Sequence, residues 1–236
     1  NAIMWCSLFS PNIKMNSLSS IDTRVFNNTK IKSFEGINVT AFVGYDSSGY
    51  NSAFEGCTEL AEVSIPNIEV IKTYAFHGCS NLSTILDFQH LTTIENGAFS
   101  ASGIKVIKNL GKITSIPGAR DWMLNDGVFA NCPNLETVIL PQSLTSIGGY
   151  VFRQDPKLES VIVLATTPPT LGNGAFIDTP IASGTGSIYV PDDGTGKIVQ
   201  AYKTATNWSS FASCIFPISQ LATDNPELYA EIEEYL

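Results

Sequence analysis

The sequence predicts an elongated solenoid built from stacked coils, and three observations lead to this fold class. Phenylalanines recur at separations of 22, 23, 30, 23 and 24 residues, at Phe54, Phe76, Phe99, Phe129, Phe152 and Phe176. Between Phe129 and Phe152 an apolar residue stands at every second or third position, a spacing that neither a helix nor a strand sustains. The residues between the phenylalanines also follow the same order from copy to copy. Self-similarity at a fixed period is the signature of repeat architectures.

The repeat unit from Phe129 to Phe152 defines the inward positions of one coil. These positions are Cys132, Leu135, Val138, Leu140, Pro141, Leu144 and Ile147. The copy from Phe54 holds Cys57, Leu60, Val63, Ile65 and Pro66 at the same offsets, and the copy from Phe76 holds Cys79, Leu82, Ile85, Leu91 and Ile94. No such coil can bury its apolar face alone, so the coils must stack. Stacking predicts parallel strands about 4.8 Å apart and a buried ladder of phenylalanines.

The pattern C-x2-L-x2-[IV]-x-[LI]-P, a spacer and L-x2-I-x4-F resembles the BspA-like class of leucine-rich repeat. The resemblance covers roughly residues 18 to 216, because residues 188–191 and 208–211 are similar to the C-terminal capping segment of that family. It implies a leucine-rich-repeat right-handed solenoid of short parallel β-strands, turns and short helical or 3₁₀ segments, capped at both ends. It also implies a protein that works by binding, on a bacterial cell surface or after secretion.

The sequence predicts a cap at each end of the solenoid. The predicted regions are an N-terminal cap at residues 1–17, the solenoid at 18–187, a C-terminal capping segment at 188–221 and an acidic C-terminal helix at 222–236. In the capping segment, Ile198, Tyr202 and Ala205 fall on one face of a helix. Trp208 follows this helix, and we expect it to close the last coil.

The acidic C-terminal helix has a recognisable start. Asp224 or Asn225 can cap it with Pro226 in its first turn, and the last thirteen residues carry five acids and no base. Its apolar stripe consists of Leu228, Ile232, Tyr235 and Leu236. Three roles stay open for this stripe, namely packing back on the solenoid, binding a partner, or leading into a further segment.

Composition supports a large core and argues against several partners. Of the 236 residues, 44% are hydrophobic and 15% charged. The net charge is −9 without a run of Lys and Arg, which argues against a nucleic-acid surface. No apolar run approaches the roughly 18 residues of a transmembrane segment. The chain opens on Asn1 without a signal-like stretch, as a trimmed mature form would. The expected extracytoplasmic location, on the cell surface or secreted, therefore rests on the family resemblance.

The cysteines are predicted to be free core thiols. Cys57, Cys79 and Cys132 share one repeat position, where other copies hold Thr29 and Asp155. No C-x2-C pair is present for zinc, and five cysteines are few for a small exported domain held together by disulfides. A bridge between Cys57 and Cys79 stays as the alternative, because neighbouring coils would bring these residues together.

Catalytic and cofactor motifs are weak. Only His77 and His90 could act as general bases near neutral pH, and neither lies near a nucleophile motif. Residues 194–197 lack the spacing of a phosphate-binding loop. The sequence therefore predicts no enzymatic activity, no metal site and no cofactor.

The first candidate binding surface is a column on the outer face of the strands, at the position between Val138 and Leu140. Its polar and charged occupants are Glu35, Ser64 and Lys108, and its apolar occupants are Leu86, Ile139, Ile162 and Tyr189. Apolar residues here have two explanations. One is simple β-propensity, and the other is a contact patch covered by a partner, a dimer mate or the C-terminal helix.

The second candidate surface consists of two long spacers before ladder phenylalanines. The spacer has four residues in three copies, but ten between Val43 and Phe54 and twelve between Ile116 and Phe129. Insertions in a solenoid form loops on one side, often the binding side. The candidate contact residues in these loops are Tyr45, Asp46, Tyr50, Arg120, Asp121 and Trp122.

These patterns predict a non-enzymatic, exported binding module that acts in adhesion or in capture of a host or microbial protein. The alternative is a carbohydrate-binding surface protein, because Tyr and Trp can stack on sugars while Asp and Arg hydrogen-bond to them. Two explanations without a binding role remain. The long insertions could be tolerated loops, and the whole protein could serve only as a structural spacer. No feature of the sequence indicates an oligomeric state.

Overall fold

Each coil of the chain contributes short strands to two faces of a solenoid of about eight turns, and the described strands form four parallel sheets, two on each face. The computed structural model describes residues 11–45, 52–84, 86–119 and 127–233. The strands are β1 Asn12–Lys14, β2 Ser20–Ile21, β3 Ser33–Glu35, β4 Ala41–Phe42, β5 Glu62–Ser64, β6 Val70–Ile71, β7 Leu86–Asp87, β8 Thr93–Ile94, β9 Val106–Asn109, β10 Ser115–Ile116, β11 Thr137–Leu140, β12 Ser146–Ile147, β13 Ser160–Val163, β14 Thr170–Leu171, β15 Ser187–Val190 and β16 Ile215–Pro217. The helices are α1 Pro180–Ser183, α2 Lys197–Thr204, α3 Ile218–Asp224 and α4 Pro226–Ile232, with a 3₁₀ helix at Trp208–Cys214.

The longer sheet face is divided into two parts. Strands β1, β3 and β5 form one part, and β7, β9, β11, β13, β15 and β16 form the other, all in parallel pairs. Residue-for-residue register places Val138 beside Val161 and Val161 beside Ile188. Equivalent apolar positions of neighbouring coils therefore form continuous core columns, as the repeat predicts.

The ladder phenylalanines form the centre of the core. They are Phe26, Phe54, Phe76, Phe99, Phe129, Phe152 and Phe176, and all are at most 1% exposed. Neighbouring rings are stacked, with centroids 4.9 to 5.8 Å apart and planes within 17° of parallel. The predicted buried ladder is thus confirmed, and Phe26, stacked on Phe54, extends it by one further coil.

The turn after each ladder phenylalanine depends on one residue with left-handed backbone. The residue two positions later has a φ between 55° and 70° in all seven coils, at Asn28, Gly56, Gly78, Ala101, Asn131, Gln154 and Asp178. Gly, Asn and Asp tolerate this conformation best and occupy five of these places. The turn ends the inward segment and sends the chain towards the next strand.

The thiols of the repeat cysteines are hydrogen-bond donors inside the core. Cys57 Sγ donates to the Phe26 carbonyl at 2.9 Å, Cys79 Sγ to Phe54 at 3.1 Å and Cys132 Sγ to Phe99 at 3.2 Å. The four cysteines in the described residues are free, so no bridge joins Cys57 and Cys79. Cys6 lies outside the described residues.

The C-terminal cap closes the core as the sequence predicts. Tyr202 in α2 is buried, while Ile198 and Ala205 pack against the core beside it. Trp208 is buried and its ring centroid lies 6.4 Å from that of Phe176. At the other end, β1 pairs in register with β3 and places Ile13 in the core. Ile3, Met4 and Trp5 of the predicted N-terminal cap lie outside the described residues.

Candidate binding surfaces

The apolar column on the outer sheet face is buried in the structure. Ile139, Ile162 and Tyr189 lie side by side in β11, β13 and β15 and are 3%, 0% and 4% exposed. They form a cluster separate from the main core together with Ile218 and Leu221 of α3 and Leu228 and Ile232 of α4. The chain's own C-terminal helices therefore cover this patch, and it does not offer a free binding surface.

Two polar contacts help to hold the helices on the sheet. The Tyr189 hydroxyl donates to Asp224 Oδ2 at 3.0 Å. The Asn225 side chain accepts a hydrogen bond from the Leu228 amide at 3.0 Å and caps α4, with Pro226 in its first turn. The predicted helix cap is thus observed. Of the three roles considered for the apolar stripe, packing back on the solenoid is observed for Leu228 and Ile232. Tyr235 and Leu236 lie outside the described residues.

Leu86 does not belong to the outer column, which corrects the sequence alignment. A bulge between Leu86 and Asp87 shifts the register of β7, so that Leu86 pairs with Ile107. Ile107 pairs with the core residue Val138. Leu86 therefore packs in the main core at 3% exposure. The repeat alignment ignored the bulge and therefore placed Leu86 level with Ile139, one position too far along the strand. A shift of one residue along a strand moves a side chain to the other face of the sheet.

The outer face of β1, β3 and β5 is open and polar, in contrast to the covered end. A groove of about 640 Å³ crosses it. Its outward-facing lining includes Asn12, Lys14, Ser33, Glu35, Glu62 and Ser64. The sequence indicates this surface by the polar–apolar–polar alternation in β3 (SFE) and β5 (EVS), which places the polar residues on the outer face. Sequence analysis noted Glu35 and Ser64 only as a contrast to the apolar residues and missed the groove.

Glu35 organises the polar contacts of this groove. Its carboxylate accepts hydrogen bonds from Asn16 Nδ2 and from Lys14 Nζ, each at 2.8 Å. The hydrogen bond from Asn16, followed by that from Lys14, lowers the pKa of Glu35. Glu35 is therefore an anion near neutral pH, and the groove presents charges of both signs.

Tyr45 is the one proposed loop residue that the structure describes, and it is anchored at the flank of the solenoid. The residue is 51% exposed. Lys72 Nζ lies 4.8 Å from the ring centroid and donates to the Tyr45 hydroxyl at 2.6 Å. Glu95 Oε1 accepts hydrogen bonds from Lys72 at 2.8 Å and from Tyr45 at 3.1 Å. The network joins three successive coils and fixes an exposed aromatic side chain at the start of the first insertion.

The charges of this network stabilise each other. Burial alone would lower the pKa of Lys72, but hydrogen bonds to Glu95 and Tyr45 raise it. Burial would raise the pKa of Glu95, but hydrogen bonds from Lys72 and Thr73 lower it. Thr73 contributes its backbone amide at 3.1 Å and its hydroxyl at 2.8 Å. Both charged groups therefore stay ionised over a wide pH range.

The remaining loop candidates, Asp46, Tyr50, Arg120, Asp121 and Trp122, lie outside the described residues. The insertions that carry them precede Phe54 and Phe129. Ring spacings of 5.1, 5.0 and 5.8 Å separate these two phenylalanines along the ladder. The insertions therefore leave the solenoid at equivalent coil positions, three coils apart.

The part of the chain that the structure describes shows no metal-binding cluster. No three His, Cys, Asp or Glu side chains there are placed to hold a metal ion. The His77 ring lies 5.1 Å from the Tyr74 ring, and His90 is exposed. Of the helices formed by described residues, none is long and apolar enough to cross a membrane.

Comparison with known proteins identifies one family. The model of the BspA type leucine-rich repeat region matches the chain in six copies, at residues 1–120 and 122–190. No curated protein matches the sequence. A crystal structure of a leucine-rich repeat protein from Bacteroides ovatus is similar, with 14% sequence identity and a TM-score of 0.41. The match covers 76% of this chain and 63% of that protein, so the chain spans less than two thirds of its length.

Proposed function

The chain belongs to the BspA-type leucine-rich repeat family, and on that basis we propose that it is a non-enzymatic, exported module that binds a protein ligand. Its role is adhesion or capture of a host or microbial protein. The family membership supports a repeat protein that acts through its surface. The ligand contacts the flank of the solenoid from which the two insertions emerge.

The observation that carries this proposal is the anchored, half-exposed ring of Tyr45. An exposed aromatic side chain held by Lys72 and Glu95 loses little conformational freedom on binding. Rigid aromatic anchors of this kind dominate interface energetics. Tyr50 and Trp122 act as further anchors in the proposal, while Asp46, Arg120 and Asp121 set polarity and orientation.

The test shortens each insertion to the four residues found between Ile71 and Phe76. Circular dichroism must show unchanged folding, and binding is then compared on a panel of host extracellular proteins, bacterial surface proteins and polysaccharides. We expect the doubly shortened protein to lose its interactions. Leu18→Ser is the control, because Leu18 is an exposed apolar residue outside both insertions.

Retention of every interaction by the doubly shortened protein would exclude the loops. The polar groove over β1, β3 and β5 is then the next candidate, because the patch at Ile139 and Ile162 is already covered. Charge reversal by Glu35→Lys would test that groove directly.

Carbohydrate binding is the second candidate, and the exposed Tyr45 ring favours it because sugars stack on aromatic faces. Lys72 occupies one face of this ring, so a sugar would use the other. In the same panel, binding of polysaccharides with sensitivity to Tyr45→Ala, and no binding of proteins, would select this function over the first.

A further inference from the structure

The chain contains two Asn-Gly pairs, and the fold places them at the same position of two coils. They are Asn96 with Gly97 and Asn173 with Gly174, and each pair is followed by an alanine and a ladder phenylalanine, so that both segments read NGAF. Each asparagine comes two residues after a short strand, β8 or β14. The two glycines share a left-handed backbone, with φ of 62° and 64°. The pairs are therefore matched in sequence and in local conformation.

The fold requires glycine in both pairs. A Cβ atom at Gly97 would lie within 3.0 Å of the Tyr74 ring, and one at Gly174 would lie within 3.0 Å of the Tyr150 ring. Positive φ adds a second reason, because residues with a side chain rarely adopt it. The glycine after each asparagine is thus fixed by packing and by backbone conformation, and only the surroundings of the asparagine side chains distinguish the two places.

The following coil holds the side chain of Asn96 but no coil follows Asn173. Asn96 is half-buried, and its Nδ2 donates a hydrogen bond to the carbonyl of Gly118, the equivalent residue of the next coil. Asn173 is exposed, and its side chain has no hydrogen-bond partner among the described residues. It lines a cleft of about 240 Å³ between the last coil and the C-terminal cap. Asn173 is therefore free to rotate, whereas Asn96 is tethered.

The backbone amides of the two glycines also differ in their access to solvent. Gly97 is buried and Gly174 is half-buried. Neither amide donates a hydrogen bond to a described residue. Water can therefore reach Gly174 and take the proton of its amide, which turns the nitrogen into a nucleophile. The missing Cβ of glycine leaves the path from this nitrogen to the preceding side chain unhindered.

An adjacent nucleophile and a free side-chain amide permit an intramolecular substitution, which needs no bimolecular encounter. The Gly174 nitrogen forms a bond to Cγ of Asn173, the Cγ–Nδ2 bond breaks, and ammonia leaves with the proton from the Gly174 amide. The product is a cyclic succinimide. One water molecule opens this ring at either carbonyl and yields aspartate or isoaspartate. In sum, an amide and water become a carboxylate and an ammonium ion, so water is the only co-reactant.

We propose that Asn173 is a site of spontaneous deamidation in the folded protein, whereas Asn96 in the same NGAF segment is protected by the next coil. To react, the Asn96 side chain must first break its hydrogen bond to Gly118, and Asn173 has no such bond to break. The modification adds one negative charge to a chain of net charge −9, and isoaspartate also adds a methylene group to the backbone. Both changes fall beside the C-terminal cap and do not depend on a binding role of the insertions.

The test follows both asparagines in the same full-length chain. The folded protein is incubated in mildly alkaline buffer, samples are digested, and mass spectrometry measures the deamidated fraction of the peptides that contain Asn96 and Asn173 against a sample taken at time zero. We expect Asn173 to convert at least about fivefold faster than Asn96, because only Asn96 must lose a hydrogen bond before it reacts. Labelling by an isoaspartate methyltransferase should identify the isoaspartate product at residue 173. Equal rates, or no conversion of Asn173, would overturn the proposal.

Denaturant and a pair of variants separate the effect of the fold from that of the sequence. In denaturant the tether of Asn96 is lost, and the two sites should convert at similar rates. A rate ratio that is the same in denaturant as in buffer would assign the difference to neighbouring sequence and overturn the proposal. In buffer, Asn173→Gln should release less ammonia than the parent, because its longer side chain closes the ring poorly, whereas Asn96→Gln should match the parent. Equal release by the two variants would also contradict the proposal.

Discussion

The side chain three residues after each ladder phenylalanine sets the polar chemistry of the core. Cys57, Cys79 and Cys132 fill this position with thiols that donate to backbone carbonyls. Asp155 fills it with a carboxyl group that is fully buried. A small side chain that can hydrogen-bond is therefore needed here, and cysteine meets both conditions while staying largely apolar.

Truncation of a ladder ring tests how much one residue contributes. Phe152→Ala should lower the free energy of unfolding by about 3 to 5 kcal/mol, because it removes a ring stacked on two neighbours and leaves a cavity. Denaturant unfolding measures the change. Leu18→Ala, at an exposed position, should change stability by no more than about 0.5 kcal/mol. Equal effects of the two substitutions would contradict a buried ladder.

Asp155 should make stability depend on pH in an unusual direction. Its Oδ1 accepts from the Cys132 amide at 2.7 Å, while Oδ2 is buried without a partner among the described residues. Burial raises the pKa of Asp155 well above 3.8, despite the opposing hydrogen bond from Cys132. The folded state therefore holds this proton more tightly than the unfolded state does. This contribution to stability is complete below pH 3.8 and falls as pH rises towards the folded pKa, by up to about 1.4 kcal/mol per pH unit.

Asp155→Asn removes this titration and keeps the acceptor oxygen. We expect the stability advantage of the Asn variant over the parent to grow as pH rises from about 4 towards neutrality. Urea unfolding at a series of pH values measures the difference. A difference that is constant across the series would show that Asp155 does not change its protonation on folding.

The repeat thiols should be unreactive in the folded protein. Burial raises the pKa of Cys57, Cys79 and Cys132, and the reactive thiolate is correspondingly scarce. Titration without reductant should find these thiols protected in buffer and five reactive thiols in denaturant. Three or fewer in denaturant would mean that at least one disulfide exists.

At the scale of elements, α3 and α4 decide which part of the sheet face is accessible. They cover the apolar residues of β11, β13 and β15, while β1, β3 and β5 stay open and polar. Their helical patterns each place two apolar residues on the sheet side, Ile218 with Leu221 and Leu228 with Ile232. The helices thus act as a cover for a patch that would otherwise favour association.

Removal of this cover should make the protein associate. A chain ending at Pro217 exposes Ile139, Ile162 and Tyr189, and we expect concentration-dependent oligomers in sedimentation and increased binding of a hydrophobic dye. The same truncation carrying Ile139→Thr and Ile162→Thr should reduce both effects. A truncated chain that stays monomeric, with dye binding like that of the full chain, would show that the helices do not shield an adhesive patch.

At the scale of the whole molecule, each coil is stabilised by packing on its neighbours, and the caps cover the core at the two ends. The C-terminal cap ends the sheet of β10, β12 and β14 with the Asn207 and Trp208 side chains and closes the core with Trp208 and Tyr202. The Tyr202 hydroxyl donates to the Ala165 carbonyl at 2.7 Å in the same interface. The cap therefore replaces both the packing and part of the hydrogen bonding of a further coil.

Loss of a cap donor should weaken the C-terminal coils first. Asn207→Ala leaves the Leu171 carbonyl without its donor, which should cost about 1 to 3 kcal/mol. Hydrogen exchange should rise at the amides of β12 and β14 more than at those of β2 and β4, because coils interact mainly with their neighbours. Asn173→Ala, an exposed position, is the matched control. A uniform rise along the whole solenoid would contradict nearest-neighbour coupling.

The sequence by itself determined the stack of coils, the phenylalanine ladder, the core position of the repeat cysteines and the closing role of Trp208. The ladder and the cysteine position follow from a local pattern that recurs along the stack, so the spacing of residues within one copy specifies their direction in the other copies. The insertions before Phe54 and Phe129 were also readable, because they interrupt a fixed period.

Tertiary structure alone decided the features that depend on contacts between distant segments. The bulge at Leu86 moved that side chain into the core, since register is set by the facing strand and not by the repeat. The apolar patch of Ile139, Ile162 and Tyr189 is covered by α3 and α4. The sequence alone also allowed a partner or a dimer mate to cover it. The carbonyls of Leu171 and Pro169 accept hydrogen bonds from the side chains of Asn207 and Trp208, because a cap of different architecture takes the place of the next coil there.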